Sequence, residues 1–189
     1  MSDNSKIYVE YMALSDLLER RHPDNPKEHN LGRLIESFQT FGYVAPGVVD
    51  ELTGLFLCGH GRTEALEVMF NDPELDAPDG VEVRDDDWYI PTNRGVKFDS
   101  PLKVKAYLVA DNELTLLGGW HEPKLAALLQ EIGAADKTLL EVVYTGDKLD
   151  ELLLELNPVP PEDFPEYSDD IETEYCCPKC RYEWSGKPK

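Results

Sequence analysis

A short run of glycines with an arginine, Gly59-His60-Gly61-Arg62, has the residue types best suited to binding phosphate. It follows an apolar segment and precedes apolar residues at helical spacing, so we predict a strand, a turn and a helix in that order. Glycines let a backbone approach an anion closely, and a helix start presents N–H groups with partial positive charge. The guanidinium group adds a planar fork that pairs with phosphate oxygens. A tight turn beside a solvated arginine would have the same pattern, and that alternative stays open.

Three of the four cysteines lie close together, at Cys176, Cys177 and Cys180. Cys177 and Cys180 have the spacing of one zinc knuckle, and residues 182–184 resemble the end of a zinc-ribbon hairpin. A closed tetrahedral zinc site needs four ligands, and the sequence contains no second pair with this spacing. We therefore expect zinc here if Cys58, a histidine or a second chain completes the site. The alternative is the remnant of a ribbon with free thiols.

The order of residues around the glycine turn resembles the ParB/sulfiredoxin-like family, over about residues 7–132. The segment Asp111-Asn112-Glu113 resembles the family's second phosphate-side motif, an acidic residue and an asparagine that open a helix. The resemblance implies a compact α+β domain of short strands packed by helices, spanning residues 1–157. The positions that carry the resemblance are Asn25-Pro26, Phe41-Gly42, Pro46, Val49-Asp50, Gly54, and Leu57 through Ala65.

The same resemblance implies a set of binding residues and a cofactor. Gly59, His60, Gly61, Arg62 and Asn112 would contact a triphosphate, and Asp111 would help to hold Mg²⁺. Chromosome-segregation ParB proteins use CTP and sulfiredoxins use ATP, so the expected cofactor is CTP or ATP with Mg²⁺. For His60 the alternative is a side chain that packs against or caps the turn, and for Asp111 it is a helix cap.

Two differences from the family limit which of its activities this chain is expected to share. The segregation proteins have an additional arginine where this chain has Gly61, and sulfiredoxins place their reactive cysteine between the glycine and histidine, whereas Cys58 precedes Gly59. Family members are often labelled nucleases, yet the sequence offers no carboxylate cluster of nuclease spacing. Catalytic residues therefore remain unassigned, and a nucleoside triphosphatase or nuclease activity stays open.

The elements that would position these residues are predicted from apolar spacing and from capping residues. Residues 71–100 are interpreted as an acidic insertion with a hairpin around residues 81–83 and 88–90. The predicted strands are at residues 6–12, 48–50, 55–58 and 102–110. Five helices are predicted. The first is capped by Asn25, with Pro26 and Glu28 in its first turn. The others begin at about Thr63, at Asp111, shortly before Leu125 and at Asp147, and the one that contains Leu125 is expected to end at Gly133.

Charge and composition bear on how the chain could take part in DNA metabolism. The formal net charge is -20, and the two acidic segments at residues 72–87 and 161–175 supply most of it. Such a surface repels DNA phosphates, and too few residues follow position 135 for a helix-turn-helix domain, so DNA contact is expected through a partner protein. An acidic DNA mimic that inhibits a DNA-binding enzyme is the alternative function, and a small redox factor is a third hypothesis.

Organisation and location follow from the same composition. Residues 158–175 are predicted to be an acidic, proline-rich linker, and residues 176–189 a Cys-rich tail. The polar N-terminus and the lack of a long apolar run predict a cytoplasmic protein with no membrane contact, by resemblance encoded by a phage or plasmid. A homodimer stays open.

Overall fold

A computed structural model describes residues 6–156 and 173–186. The chain divides into two compact units, residues 1–156 and 157–189. The first unit has the predicted α+β fold, with one mixed sheet and flanking helices. The predicted linker lies outside the described residues as far as residue 172.

The strands of the first unit are β1 (Tyr8–Ala13), β2 (Gly47–Asp50), β3 (Phe56–Cys58), β4 (Glu82–Arg84) and β5 (Asp87–Val96). The helices are α1 (Leu14–Glu19), α2 (Leu31–Phe41), α3 (His60–Phe70), α4 (Pro101–Leu116), α5 (Glu122–Asp136), α6 (Thr138–Glu141) and α7 (Lys148–Leu156).

β5 is the central strand of the sheet. It pairs antiparallel with β1 and parallel with β2, and β3 continues the sheet beyond β2 in the order β1-β5-β2-β3. β4 forms the predicted hairpin with the start of β5. The interpretation of residues 71–100 as an insertion is nevertheless wrong for β5. Its alternate side chains Trp88, Ile90 and Thr92 are buried in the domain, because a strand places every second side chain on the same face.

Two apolar clusters meet at β3, the strand that leads into the glycine turn. Phe56 belongs to the larger cluster, together with buried residues of α1, α2, α3 and β5. Leu57 and Cys58 belong to a second cluster with Val104 and Leu108 of α4. All three residues of β3 are therefore buried, and the start of α3 is held between two packed layers.

The residue that caps α2 lies five positions after the predicted one. Asn30 caps it by accepting a hydrogen bond from the Arg33 N–H at 3.2 Å, and Gly42, at φ 75°, ends it as predicted. The side-chain oxygen of Asn25 instead accepts from the Lys27 N–H at 3.5 Å, in a local turn. The start of α3 is also corrected, from about Thr63 to His60.

The segment predicted as a strand over residues 102–110 is the first part of α4. Ser100 caps this helix by accepting from the Lys103 N–H, and proline occupies its first position, where a missing N–H costs nothing. Val104 and Leu108, four residues apart, are buried. The segment Asp111-Asn112-Glu113 consequently lies inside α4, more than two turns from its start, and neither opens nor caps a helix.

The last three helices form a cluster of their own around Leu129, Leu140 and Leu149. The two predicted helices are confirmed as α5 and α7, although Gly133 lies inside α5 and does not end it. α6 was not predicted. Within the described ranges, none of the helices combines the length and apolar character needed to span a membrane.

The described part of the second unit is a small hairpin. β6 (Tyr175–Cys176) and β7 (Glu183–Trp184) pair antiparallel, with Tyr175 opposite Trp184. Their rings stack with centroids 5.7 Å apart. The Cys177–Cys180 segment therefore forms the connection between two short strands.

Candidate functional site

The predicted order of strand, glycine turn and helix is confirmed at residues 56–70. Gly59 has the left-handed backbone conformation, with φ 105°, and as the residue that precedes α3 it has no side chain to cap the helix. The Thr63 N–H donates to the Gly59 carbonyl at 2.9 Å. The preceding N–H groups, those of His60, Gly61 and Arg62, belong to the first helical turn and lack acceptors within the helix. The turn thus presents an uncapped helix N-terminus, a place where backbone groups favour an anion.

Packing also requires the glycines of this turn. A Cβ atom at Gly59 would lie 2.9 Å from the Phe56 ring, and one at Gly61 would lie 2.4 Å from the His29 ring. Gly47, on the neighbouring strand β2, approaches the Phe56 ring in the same manner. The two glycines of the motif therefore let the loop before α2 and the start of α3 come close together.

His60 faces the interior of the domain. Its side chain is buried, and its Nε2 accepts a hydrogen bond from the His22 N–H at 3.1 Å. Burial, together with the nearby charge of Arg21, lowers the pKa of His60 to about 4. The ring is therefore neutral at physiological pH and acts as an acceptor that holds the loop, which leaves its backbone N–H as the group presented at the turn.

Neighbouring loop residues that the sequence analysis did not select extend this network. His29 Nδ1 lies 3.2 Å from Glu64 Oε2, and Arg21 donates to the other oxygen of the same carboxylate at 2.9 Å. On the far side of the loop, Lys105 of α4 forms an ion pair with Asp24. No local spacing connects these positions with Gly59, because they come from three separate elements.

Arg62 has fewer partners than a guanidinium normally has. Its Nη2 donates to the Pro46 carbonyl at a long 3.5 Å, and its Nε is buried without an acceptor. Among residues 6–156 and 173–186 it forms no ion pair. The buried Tyr43 hydroxyl lies beside it, within hydrogen-bonding reach of the guanidinium, and burial raises the pKa of Tyr43. Buried polar atoms without a well-placed partner are rare in proteins, so Arg62 is the residue of this turn that has most to gain from a ligand.

Asp111 lies close to the residue that precedes the turn. Tyr107, one helical turn earlier, donates to Asp111 Oδ1 at 3.3 Å, and the same carboxylate is within hydrogen-bonding reach of the Cys58 thiol. Burial, with a contribution from Asp111, raises the pKa of Cys58 to about 12, and burial also raises the pKa of Tyr107. Cys58 is therefore a protonated thiol that packs beneath the turn, while Asp111 is exposed.

The other predicted site residue of α4 is engaged locally. Asn112 Nδ2 donates to the Leu108 carbonyl of its own helix at 2.8 Å, and within the described residues no hydrogen bond joins it to the turn. A cavity of about 680 Å³ runs along α3, but it is lined by Glu64, Glu67 and Asp72 and not by the residues of the turn. Its carboxylates disfavour phosphate. The candidate site is thus the helix start itself, where His60 and Gly61 are buried and Gly59 and Arg62 are half-buried, with Arg62 as its cation.

Two backbone hydrogen bonds close the cysteine hairpin. The Cys177 N–H donates to the Tyr182 carbonyl at 2.8 Å, and the Arg181 N–H donates to the Cys177 carbonyl at 2.8 Å. Hydrogen bonds from the backbone N–H groups of Cys180 and then Lys179 lower the pKa of the Cys177 thiol. Cys176 Sγ instead contacts the Cys177 carbonyl. Across residues 6–156 and 173–186, no group of three or more histidine, cysteine or acidic side chains is placed to hold a metal ion.

No model of a known protein family matches the chain, and a search of curated proteins finds no match. The similarity to the ParB/sulfiredoxin-like family therefore rests on the motifs alone. The structure brings Asp111 close to the glycine turn, and it leaves Asn112 bonded within its own helix.

Proposed function

We propose that the Gly59–Arg62 turn binds the phosphates of a nucleoside triphosphate, CTP or ATP with Mg²⁺, in a ParB-like protein of DNA metabolism or segregation. The observation that carries the proposal is the Arg62 guanidinium, whose buried Nε has no well-placed acceptor among the described residues, beside a helix N-terminus that no side chain caps. A phosphate group would accept hydrogen bonds from both.

Electrostatics supports Arg62 as the main phosphate contact. The neighbouring cations Arg21 and Lys105 already have carboxylate partners, Glu64 and Asp24, so their charges are largely compensated. Arg62 has none. A guanidinium in this state is the group that gains most from a phosphate, because charge-assisted hydrogen bonds are about twice as strong as neutral ones.

Asp111 supplies the carboxylate that a Mg²⁺–nucleotide complex requires. Magnesium is usually held by one or two carboxylates together with substrate phosphates and water, so a single exposed carboxylate near the turn suffices. Tyr107 fixes the direction of this carboxylate by its hydrogen bond. Asn112 would contact a phosphate only after releasing the Leu108 carbonyl.

The DNA-related role is proposed from the resemblance, and the net charge indicates that contact with DNA would be indirect. A chain with a net charge of -20 has little means of neutralising DNA phosphates by itself, so we place a partner protein between it and DNA. In this proposal, nucleotide binding would regulate contact with that partner. Hydrolysis of the nucleotide is not required by it.

Calorimetric titration with each of the four ribonucleoside triphosphates, with and without Mg²⁺, tests the proposal. The intact chain is expected to bind CTP or ATP more tightly with Mg²⁺. Arg62→Ala is expected to weaken binding by about ten- to a hundredfold, because loss of a charge-assisted contact costs about 1.5–3 kcal/mol. Asp111→Asn should reduce only the part of the affinity that depends on Mg²⁺.

Arg84→Ala is the matched control, since Arg84 is an exposed arginine of the β4–β5 hairpin that pairs with Glu82. It should leave the affinity unchanged. Thermal unfolding checks that each variant is folded, and Arg62→Lys replaces Arg62→Ala if the alanine variant is not. A folded Arg62 variant with unchanged affinity would remove Arg62 from the site. Absence of binding to all four nucleotides would overturn the proposed function.

A further inference from the structure

The hairpin of residues 173–186 carries two cysteines in an arrangement that suits metal coordination. Backbone N–H groups of Lys179 and Cys180 point at the Cys177 sulfur, and the Cys180 thiol lies within hydrogen-bonding reach of it. Arg181, which follows, has φ 60°, a left-handed conformation that is uncommon outside glycine and that turns the chain sharply toward β7. Two sulfurs are thereby brought together at the tip of the hairpin, with backbone N–H groups directed at that of Cys177.

This pair is half of a site. Structural zinc takes four ligands, and Cys177 and Cys180 supply two. Cys176 lies on β6, paired with Glu183, and its sulfur contacts the carbonyl of the next residue, which places it outside the tip. From residue 122 onward the sequence contains no histidine and no further cysteine. Of the remaining thiols and imidazoles, Cys58, His22 and His60 are buried in the first unit, His29 is bonded to Glu64, and the exposed His121 caps α5 by accepting from the Lys124 N–H.

Within residues 173–186, the described part of its unit, the hairpin has no fully buried side chain. Its strands have two residues each, and a two-stranded hairpin is at best marginally stable alone. Tyr182 stacks on Trp184 with 68% of its own surface exposed, so the aromatic side chains are only partly covered. Units this small usually need a metal, disulfides or association with another chain.

We propose that two copies of this chain share one Zn²⁺ through Cys177 and Cys180 of each hairpin, forming a homodimer. A second copy supplies by symmetry the two thiolates that are missing, which gives the four-cysteine tetrahedral set of structural zinc sites. On binding, the four thiols lose their protons to solvent and zinc exchanges its water ligands for sulfur. The resulting site carries two negative charges, and Lys179 and Arg181 of each hairpin lie directly beside it. This inference does not depend on the nucleotide proposal.

The test uses the full chain, purified under reducing conditions and equilibrated with Zn²⁺. We expect one zinc ion for every two chains by metal analysis, and a dimeric mass by light scattering that becomes monomeric in EDTA. Co²⁺ in place of Zn²⁺ should give the intense sulfur-to-cobalt charge-transfer absorption of a tetrahedral thiolate site. Cys177→Ser and Cys180→Ser should each abolish metal binding and dimerisation.

Two matched controls separate this site from its alternatives. Cys176→Ser removes the neighbouring thiol, and His121→Ala removes an exposed imidazole of the first unit; both variants should retain zinc and the dimer. Loss of zinc in either control would overturn the proposal, because Cys176 or His121 would then belong to the ligand set. One zinc ion on each monomeric chain, a dimer that persists in EDTA, or no zinc bound at micromolar concentration would overturn it equally.

Discussion

His60 and Arg62 lie two positions apart at the start of α3, and their environments differ sharply. The His60 ring is 5% exposed and hydrogen-bonded to the loop before α2, whereas Arg62 retains donors without acceptors. One residue therefore holds the turn in place while the other is available to a ligand. The motif contributes to both stability and binding, and the two contributions can be measured separately.

The buried imidazole of His60 makes stability depend on pH. Its pKa in the folded chain, about 4, is below the value of about 6.5 expected when unfolded, so the unfolded state takes up a proton first as pH falls. The stability contribution is complete above about pH 6.5 and is lost progressively towards pH 4. Between pH 8 and pH 5 the loss amounts to about 2 kcal/mol.

His60→Gln isolates this effect, since a glutamine oxygen still accepts from the His22 N–H but does not titrate. Urea unfolding of both proteins between pH 5 and pH 8 is the measurement. We expect the free energy of unfolding of the variant to fall less steeply below pH 6.5. Identical slopes for the two proteins would show that His60 is not kept neutral by the fold.

At the scale of the elements, side chains of the central strand β5 are expected to contribute more to the free energy of unfolding than those of the adjoining β4. Ile90 is fully buried at its centre, whereas Val83 of the adjoining β4 is 64% exposed. Ile90→Ala is expected to lower the free energy of unfolding by about 2–5 kcal/mol, and Val83→Ala by at most about 0.5 kcal/mol. Chemical denaturation compares them directly. Similar small losses for both would mean that β5 belongs to a peripheral insertion after all.

The elements next to glycine or to a clear capping residue were the predictable ones. The strand, turn and helix around Gly59 followed from local pattern, because glycine marks the boundary. α4 was mistaken for a strand, since its apolar and charged residues alternate at residues 102–105, yet Ser100 and Pro101 already indicated a helix start. β5 was hidden by the acidic residues before it, which suggested a solvated insertion.

For the candidate site, local sequence pattern predicts fewer of the residues that come together. Gly59 and Arg62 were identified from their spacing, but Tyr43 and His29 come from distant segments and only the folded chain brings them to the turn. Asp111 was identified through family resemblance, and with the wrong position in its helix. Pattern analysis thus finds residues that are adjacent in sequence, whereas contacts across the sheet require the topology.

At the scale of the whole molecule, the net negative charge is expected to limit the affinity of the chain for DNA. At about 0.15 M salt, where the Debye length is about 8 Å, the intact chain is expected to bind random duplex DNA no more tightly than micromolar. Replacing the six carboxylates within residues 161–172 by amides should strengthen whatever binding exists, most visibly at low salt. Gel-shift titrations of both proteins over a salt series measure this.

The salt series also separates the two DNA-related hypotheses. A DNA mimic would lose its protein partner on the same replacement, and DNA binding would remain absent at every salt concentration. Submicromolar binding of the intact chain at physiological salt would contradict the electrostatic argument and would require a segregated basic face.

The pairing of β1 with β5 has a consequence for the order in which the chain can fold. Tyr8 lies opposite Arg94 and Ala13 opposite Tyr89, so the first strand meets its partner only across a long stretch of sequence. Closing so large a loop costs chain entropy before any of these hydrogen bonds form, and contacts of this kind slow folding. On a ribosome, β1 leaves the exit tunnel well before β5 and waits as an unpaired strand with exposed apolar side chains. An unpaired strand of this kind is open to pairing with other chains until synthesis has passed Val96 and β5 is available.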